Sequence, residues 1–133
     1  MAYDVRCTKD GFIDPRYLGY FRLFAEEKFF EAHEVLEVLW LETKGEDRDF
    51  YQGLIQLAAS LVHFQKGNLT GAKELFQTAS KYLESFKPFH EGVEVSQTLE
   101  DFRHFLEVWS KNPGNPSVAK ECLPHVILKE DIL

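Results

Sequence analysis

Cysteine is scarce in this chain. Cys7 and Cys122 are the only two, near opposite ends of 133 residues. Two cysteines at that spacing make neither a disulfide framework nor a metal motif. Whether Cys7 and Cys122 meet stays open, because spatial proximity is not written in sequence. Long apolar runs are lacking as well: none approaches the roughly 18–20 residues that cross a bilayer. The opening stretch, Met1 to Arg6, has no apolar segment of the secretory kind, so a reducing cytoplasm is the expected location. Positive charge is in deficit, with 15 Lys and Arg against 22 Asp and Glu and a net charge of −7. That balance argues against a phosphate backbone or an anionic lipid surface as principal partner, so neither nucleic acid nor membrane is expected. There is no phosphate-cradling glycine loop, no dinucleotide fingerprint and no convincing strand alternation, and no cofactor is indicated.

What is present is apolar and helical. Apolar residues make up 44% of the chain, enough to exclude disorder, and the length suffices for a core without metal or disulfide staples. The expectation is a single all-α domain over residues 1–133, with about five helices in a core of about 14–111 and a tail over 112–133. Asp14-Pro15 reads as an N-cap and first helical position. A second helix spans about Phe29 to Glu42, with Gly45 as its stop. A third runs from a cap at Asp47 to Lys66 and halts at Gly67. A fourth, capped by Asn68 or Thr70, places Leu69, Ala72, Phe76, Ala79, Leu83 and Phe86 on one face before Pro88. A fifth carries Val95, Leu99, Phe102, Leu106 and Trp109, and Asn115-Pro116 opens one short further turn.

An internal repeat marks the one boundary that lacks a breaker. Phe29-Phe30-Glu31-Ala32-His33-Glu34-Val35-Leu36 aligns with Leu69-Thr70-Gly71-Ala72-Lys73-Glu74-Leu75-Phe76 at an offset of 40. The second copy turns at Gly67-Asn68, so the first is predicted to turn at Glu27-Lys28. The result would be two helical hairpins, loosely like tetratricopeptide units; the rival is one continuous helix from Pro15 to Glu42.

Helix two is apolar on more than one side. Phe29, Ala32, Leu36, Leu39 and Trp40 form its core stripe. Phe30, Val38 and Leu41 lie opposite, with Glu34 among them, and His33 and Glu37 fall between the two regions. Such a helix is expected to be central, and a central helix holds carboxylates only when something satisfies them. Helix three offers Gln52, Gln56, Ser60 and His63 on one stripe. A short linker makes the two helices an antiparallel hairpin, with Glu34 opposite Gln56 and Glu37 opposite Gln52 and Gly53. Gly53 within a helix points to close approach of a neighbouring helix or a ligand.

Two readings of this cluster follow. One is a hydrogen-bonded core network that fixes helix register. The other is a pocket that binds or hydrolyses a small molecule, with Glu34 or Glu37 as general base and with Glu31, His33, Trp40, Gln52, Gln56 and His63 as ligand-binding residues. His33-Glu34-Val35-Leu36-Glu37 resembles half of a zinc motif whose second histidine is a glutamate, and the carboxylate run lacks the paired E-x-x-H of di-iron bundles, so no metal site is assigned. Ser60 and His63 share a face without a nucleophile elbow. His90, His104 and His125 show no pairing and are expected to face solvent. The repeated hairpins suggest an alternative, a protein-interaction module. Small-molecule, protein and self-association partners all stay open.

The run Phe29-Phe30-Glu31-Ala32-His33-Glu34-Val35-Leu36-Glu37 followed by Trp40 resembles the signature of the family called domain of unknown function 309. Phe50-Tyr51-Gln52-Gly53-Leu54-Ile55-Gln56-Leu57-Ala58 and Gly67-Asn68-Leu69-Thr70-Gly71-Ala72 are similar to its second and third blocks. The resemblance covers about Tyr17 to Trp109, and Glu94 departs from it where an aspartate is expected. It implies an all-helical fold and no established activity. Its signature residues here are Glu31, His33, Glu34, Glu37, Gln52 and Gln56.

Overall fold

A computed structural model describes residues 13–129; Cys7 lies outside them. Asp14 opens α1 (Pro15–Ala25) as its sequence suggests. The carboxylate accepts from the Arg16 backbone N–H at 2.8 Å, and the Arg16 guanidinium grips the same carboxylate at 2.8 and 3.0 Å. That guanidinium holds the Asp14 carboxyl below the usual carboxylate range and also reaches Glu42 at 3.0 Å. The chain continues through α2 (Phe29–Glu42), α3 (Glu46–Gln65) and α4 (Leu69–Leu83). After one 3₁₀ turn at Glu84–Phe86 comes a small antiparallel hairpin, β1 (Phe89–His90) and β2 (Val93–Glu94), then α5 (Val95–Lys111) and α6 (Pro116–Lys120). The fold is all-α apart from these two-residue strands, which are too short to show alternation in a sequence.

The repeat extends to the backbone bonding. In the first hairpin the N–H groups of Glu27, Lys28 and Ala32 donate to the carbonyls of Phe24, Leu23 and Lys28. In the second, Gly67, Asn68 and Ala72 donate to Phe64, His63 and Asn68, each 40 residues on. The bond from Lys28 back to Leu23, like that from Asn68 to His63, closes a Schellman-type end. This end requires a left-handed residue, and Glu27 (φ 61°) and Gly67 (φ 73°) supply it at equivalent positions.

α2 and α3 pack as an antiparallel hairpin across a three-residue linker, but α3 is the central member. It packs against both α2 and α4 and buries Phe50, Leu54, Ile55, Leu57, Ala58, Ser60 and Leu61. α2 buries one stripe only, Phe29, Ala32, Leu36 and Leu39. α5 covers the other end of the core, with Phe64 of α3 edge-on to Phe105 and Trp109 at ring distances of 5.0 Å. The segment 112–129 docks on the core: Ala119 and Val126 are buried in it, and the Lys129 N–H donates to the Gly92 carbonyl at 2.8 Å. No helix among the described residues is long and apolar enough to cross a membrane.

Candidate functional site

The outer face of α2 differs from its expected role. Phe30, Val38 and Leu41 are 54, 48 and 66% exposed, so the second apolar region of the helix covers no core. Glu34 stands among them, exposed rather than enclosed, and Glu31 is exposed too. Glu37 and His33 are half-buried, and the Phe30 ring stacks on the His33 ring at 5.9 Å. His33 Nδ1 is buried with no hydrogen-bond partner. Trp40 is half-buried at the other end of the helix.

On α3, Gln52 and Gln56 are half-buried. Among the described residues no hydrogen bond joins either glutamine to Glu34 or Glu37, so the expected Glu34–Gln56 and Glu37–Gln52 pairings are not formed. The close approach that explains Gly53 comes from α4. A Cβ at position 53 would stand 2.5 Å from Leu83 Cγ, and its three nearest heavy atoms all belong to Leu83. Ser60 is fully buried and donates to the Ala72 carbonyl at 2.8 Å, tying α3 to α4. His63 belongs to the turn: the Asn68 side-chain amide donates to His63 Nδ1 at 3.1 Å, while the Asn68 side-chain oxygen caps α4 through the Gly71 N–H at 2.9 Å. Ser60 and His63 therefore serve α3–α4 packing and the intervening turn rather than one shared site.

Two arrangements escape the sequence reading. Arg48, in the first turn of α3, lies 4.1 Å from the Trp40 ring and donates to the carbonyls of Trp40 and Thr43 at 3.1 and 3.2 Å. A cation over an indole that also satisfies carbonyls at a helix C-terminus fixes the α2–α3 linker. The second arrangement corrects the expectation that His90 is solvent-facing and unpaired. Its Nε2 lies 2.9 Å from Asp47 Oδ1, and its ring sits 4.6 Å from Phe50 and 4.7 Å from Phe86. Glu91 follows at φ 48°, and the Tyr17 hydroxyl donates to its carbonyl. Nearby, burial first, then the charges of Asp47, Glu91 and Asp14, push the Tyr51 phenol up. No local pattern announces the His90–Asp47 and Tyr17–Glu91 contacts, which join residues 43 and 74 positions apart.

Residues 17–75 match the model of a family described as "Domain of unknown function (DUF309)". Over 71 residues the chain is 37% identical to the uncharacterized protein YpuF of Bacillus subtilis (strain 168), covering 52% of this chain and 41% of that protein. Over 95 residues it is 30% identical to an uncharacterized protein of Aquifex aeolicus (strain VF5), covering 69% of this chain and 27% of that protein. The chain thus spans less than half the length of either relative. The resemblance read from the α2 and α3 motifs is borne out over the matched segment.

Proposed function

We propose that the DUF309-family segment carried by this chain, residues 17–75, is a docking module for a basic amphipathic helix, seated on the outer face of α2. The observation that carries this reading is the exposed ridge itself. At about 100° per residue, Phe30, Glu34, Val38 and Leu41 fall within a sector of about 80°. Glu31 flanks this sector on one side and Glu37 on the other. None of the three glutamates has an ion-pair partner among the described residues, while six other glutamates do. The internal repeat supplies a control. The equivalent positions on α4 are Thr70, Glu74, Thr78 and Lys81, an ordinary solvated face. α2 alone replaces three of those four polar groups with large apolar ones. An apolar strip rimmed by unpaired carboxylates complements a helix with an apolar face rimmed by lysine or arginine.

A synthetic leucine/lysine amphipathic peptide, titrated into the full chain and read by fluorescence anisotropy, tests this. Wild type should bind it, and a leucine/glutamate peptide of equal length should not. The double variant Phe30→Ser, Leu41→Ser should lose about tenfold or more in affinity with its thermal midpoint unchanged, because neither side chain supports the core. Equal binding by variant and wild type would overturn the reading.

A second reading, small-molecule binding or hydrolysis with Glu34 or Glu37 as general base, draws on the buried, unpartnered Nδ1 of His33 and on the half-burial of Glu37, Gln52 and Gln56. The two separate cleanly, since a ligand held by His33 would survive Leu41→Ser at the far end of α2.

A further inference from the structure

The geometry points to a divalent transition-metal site at the opposite end of the α2–α3 hairpin from His33, formed by Asp47, His90 and Glu91. Each residue offers one donor atom, and the three atoms lie within 4.8 Å of one another. All three residues are partly buried. A tetrahedral ion about 2.0–2.1 Å from nitrogen and oxygen ligands holds its donors roughly 3.3 Å apart. The His90–Asp47 pair, at 2.9 Å, opens slightly to admit the ion, and the Glu91 carboxylate, within 4.8 Å of both donors, supplies the third ligand.

The donors are held from three directions. Asp47 sits in the first turn of a 20-residue helix. The His90 imidazole packs against the rings of both Phe50 and Phe86, which also touch each other at 5.3 Å. The backbone at Glu91 is tied to α1 by the Tyr17 hydroxyl. One imidazole nitrogen with two carboxylate oxygens suits borderline ions such as Zn²⁺, Co²⁺ or Mn²⁺ better than Ca²⁺ or Mg²⁺, which take oxygen alone. Three protein ligands leave a fourth position for water. Asp47, Glu91 and Asp14 place negative charge near Tyr51, and Arg16, ion-paired to Asp14 and Glu42, opposes them, so the attraction for a cation comes from the two carboxylate ligands themselves.

The test is a titration of the metal-stripped full chain with Co²⁺, followed by visible absorption, and with Zn²⁺, followed by calorimetry. One ion per chain should bind, with Zn²⁺ displacing Co²⁺. Asp47→Asn and His90→Gln should each weaken binding by about tenfold or more. His125→Ala should leave it unchanged; that histidine lines a separate cleft with His104, Glu121 and Cys122 and serves as the control. Circular dichroism of each variant confirms the helical fold before titration. No ion bound by wild type, an ion retained at full affinity by both Asp47→Asn and His90→Gln, or an ion lost with His125 instead, each overturns the assignment.

Discussion

A methyl group at position 53 would stand 2.5 and 2.6 Å from two carbons of Leu83, and Leu83 is 1% exposed with nowhere to retreat. Two effects oppose each other in Gly53→Ala. Alanine gains about 1 kcal/mol of helix propensity, while overpacking an enclosed contact costs about 1–3 kcal/mol. The overpacking wins, so Gly53→Ala should destabilise. Adding Leu83→Ala removes the clash, and urea melts of the four-member cycle should show coupling of about 1 kcal/mol or more; additive effects would contradict the contact. Asp14 carries a prediction in pH. Its carboxyl is lowered by the Arg16 side-chain hydrogen bond, so its contribution is present above the unfolded carboxyl range and is lost as pH falls through the folded value. Asp14→Ala should cost about 1 kcal/mol at neutral pH, and the gap to wild type should narrow below about pH 4, measured by denaturant melts across that range. Asp14-Pro15 was legible as a helix start because capping chemistry is local. Arg48 was not, because its targets are backbone carbonyls and a ring on another helix, which no spacing rule encodes.

Glu27 and Gly67 put two residue types through the same test. Both end a helix in the left-handed region, where a side chain costs energy that glycine avoids. Gly67→Ala should therefore lower stability by about 1 kcal/mol, and Glu27→Gly should raise it by about 0.5–1 kcal/mol. Glu27→Gly also removes an ion pair with Lys120, but at 3.6 Å between exposed groups that pair offsets little of the gain. Thermal melts showing the same sign for both would count against the equivalence of the two turns. The turn at Glu27-Lys28 lacks any breaker, and only the comparison with Gly67-Asn68 made it readable. For α2 the periodicity located the buried stripe correctly and assigned the wrong environment to the other apolar face. Residue spacing says which side chains share a side of a helix; what lies against that side is decided by the rest of the chain.

Across the whole molecule, legibility ran out where distant segments meet. The helices from α1 to α5 followed from apolar spacing and terminal residues. The hairpin at 89–94 did not, and neither did the pairing of His90 with Asp47, 43 positions apart, or the tie from Tyr17 to Glu91, 74 positions apart. The glutamate and glutamine stripes stand out in the sequence of their helices, yet their separation into an exposed ridge and a half-buried flank depends on how α3, rather than α2, takes the centre. The two tryptophans fall on either side of these long-range joins. Trp40 lies half-open beneath the Arg48 guanidinium at the α2–α3 linker, while Trp109 is 3% exposed among Phe64 and Phe105. The protein thus carries two built-in optical reporters with different surroundings. A small neutral quencher reaches the first indole far more readily than the second, and replacing either tryptophan with phenylalanine isolates the emission of one half of the structure from that of the other.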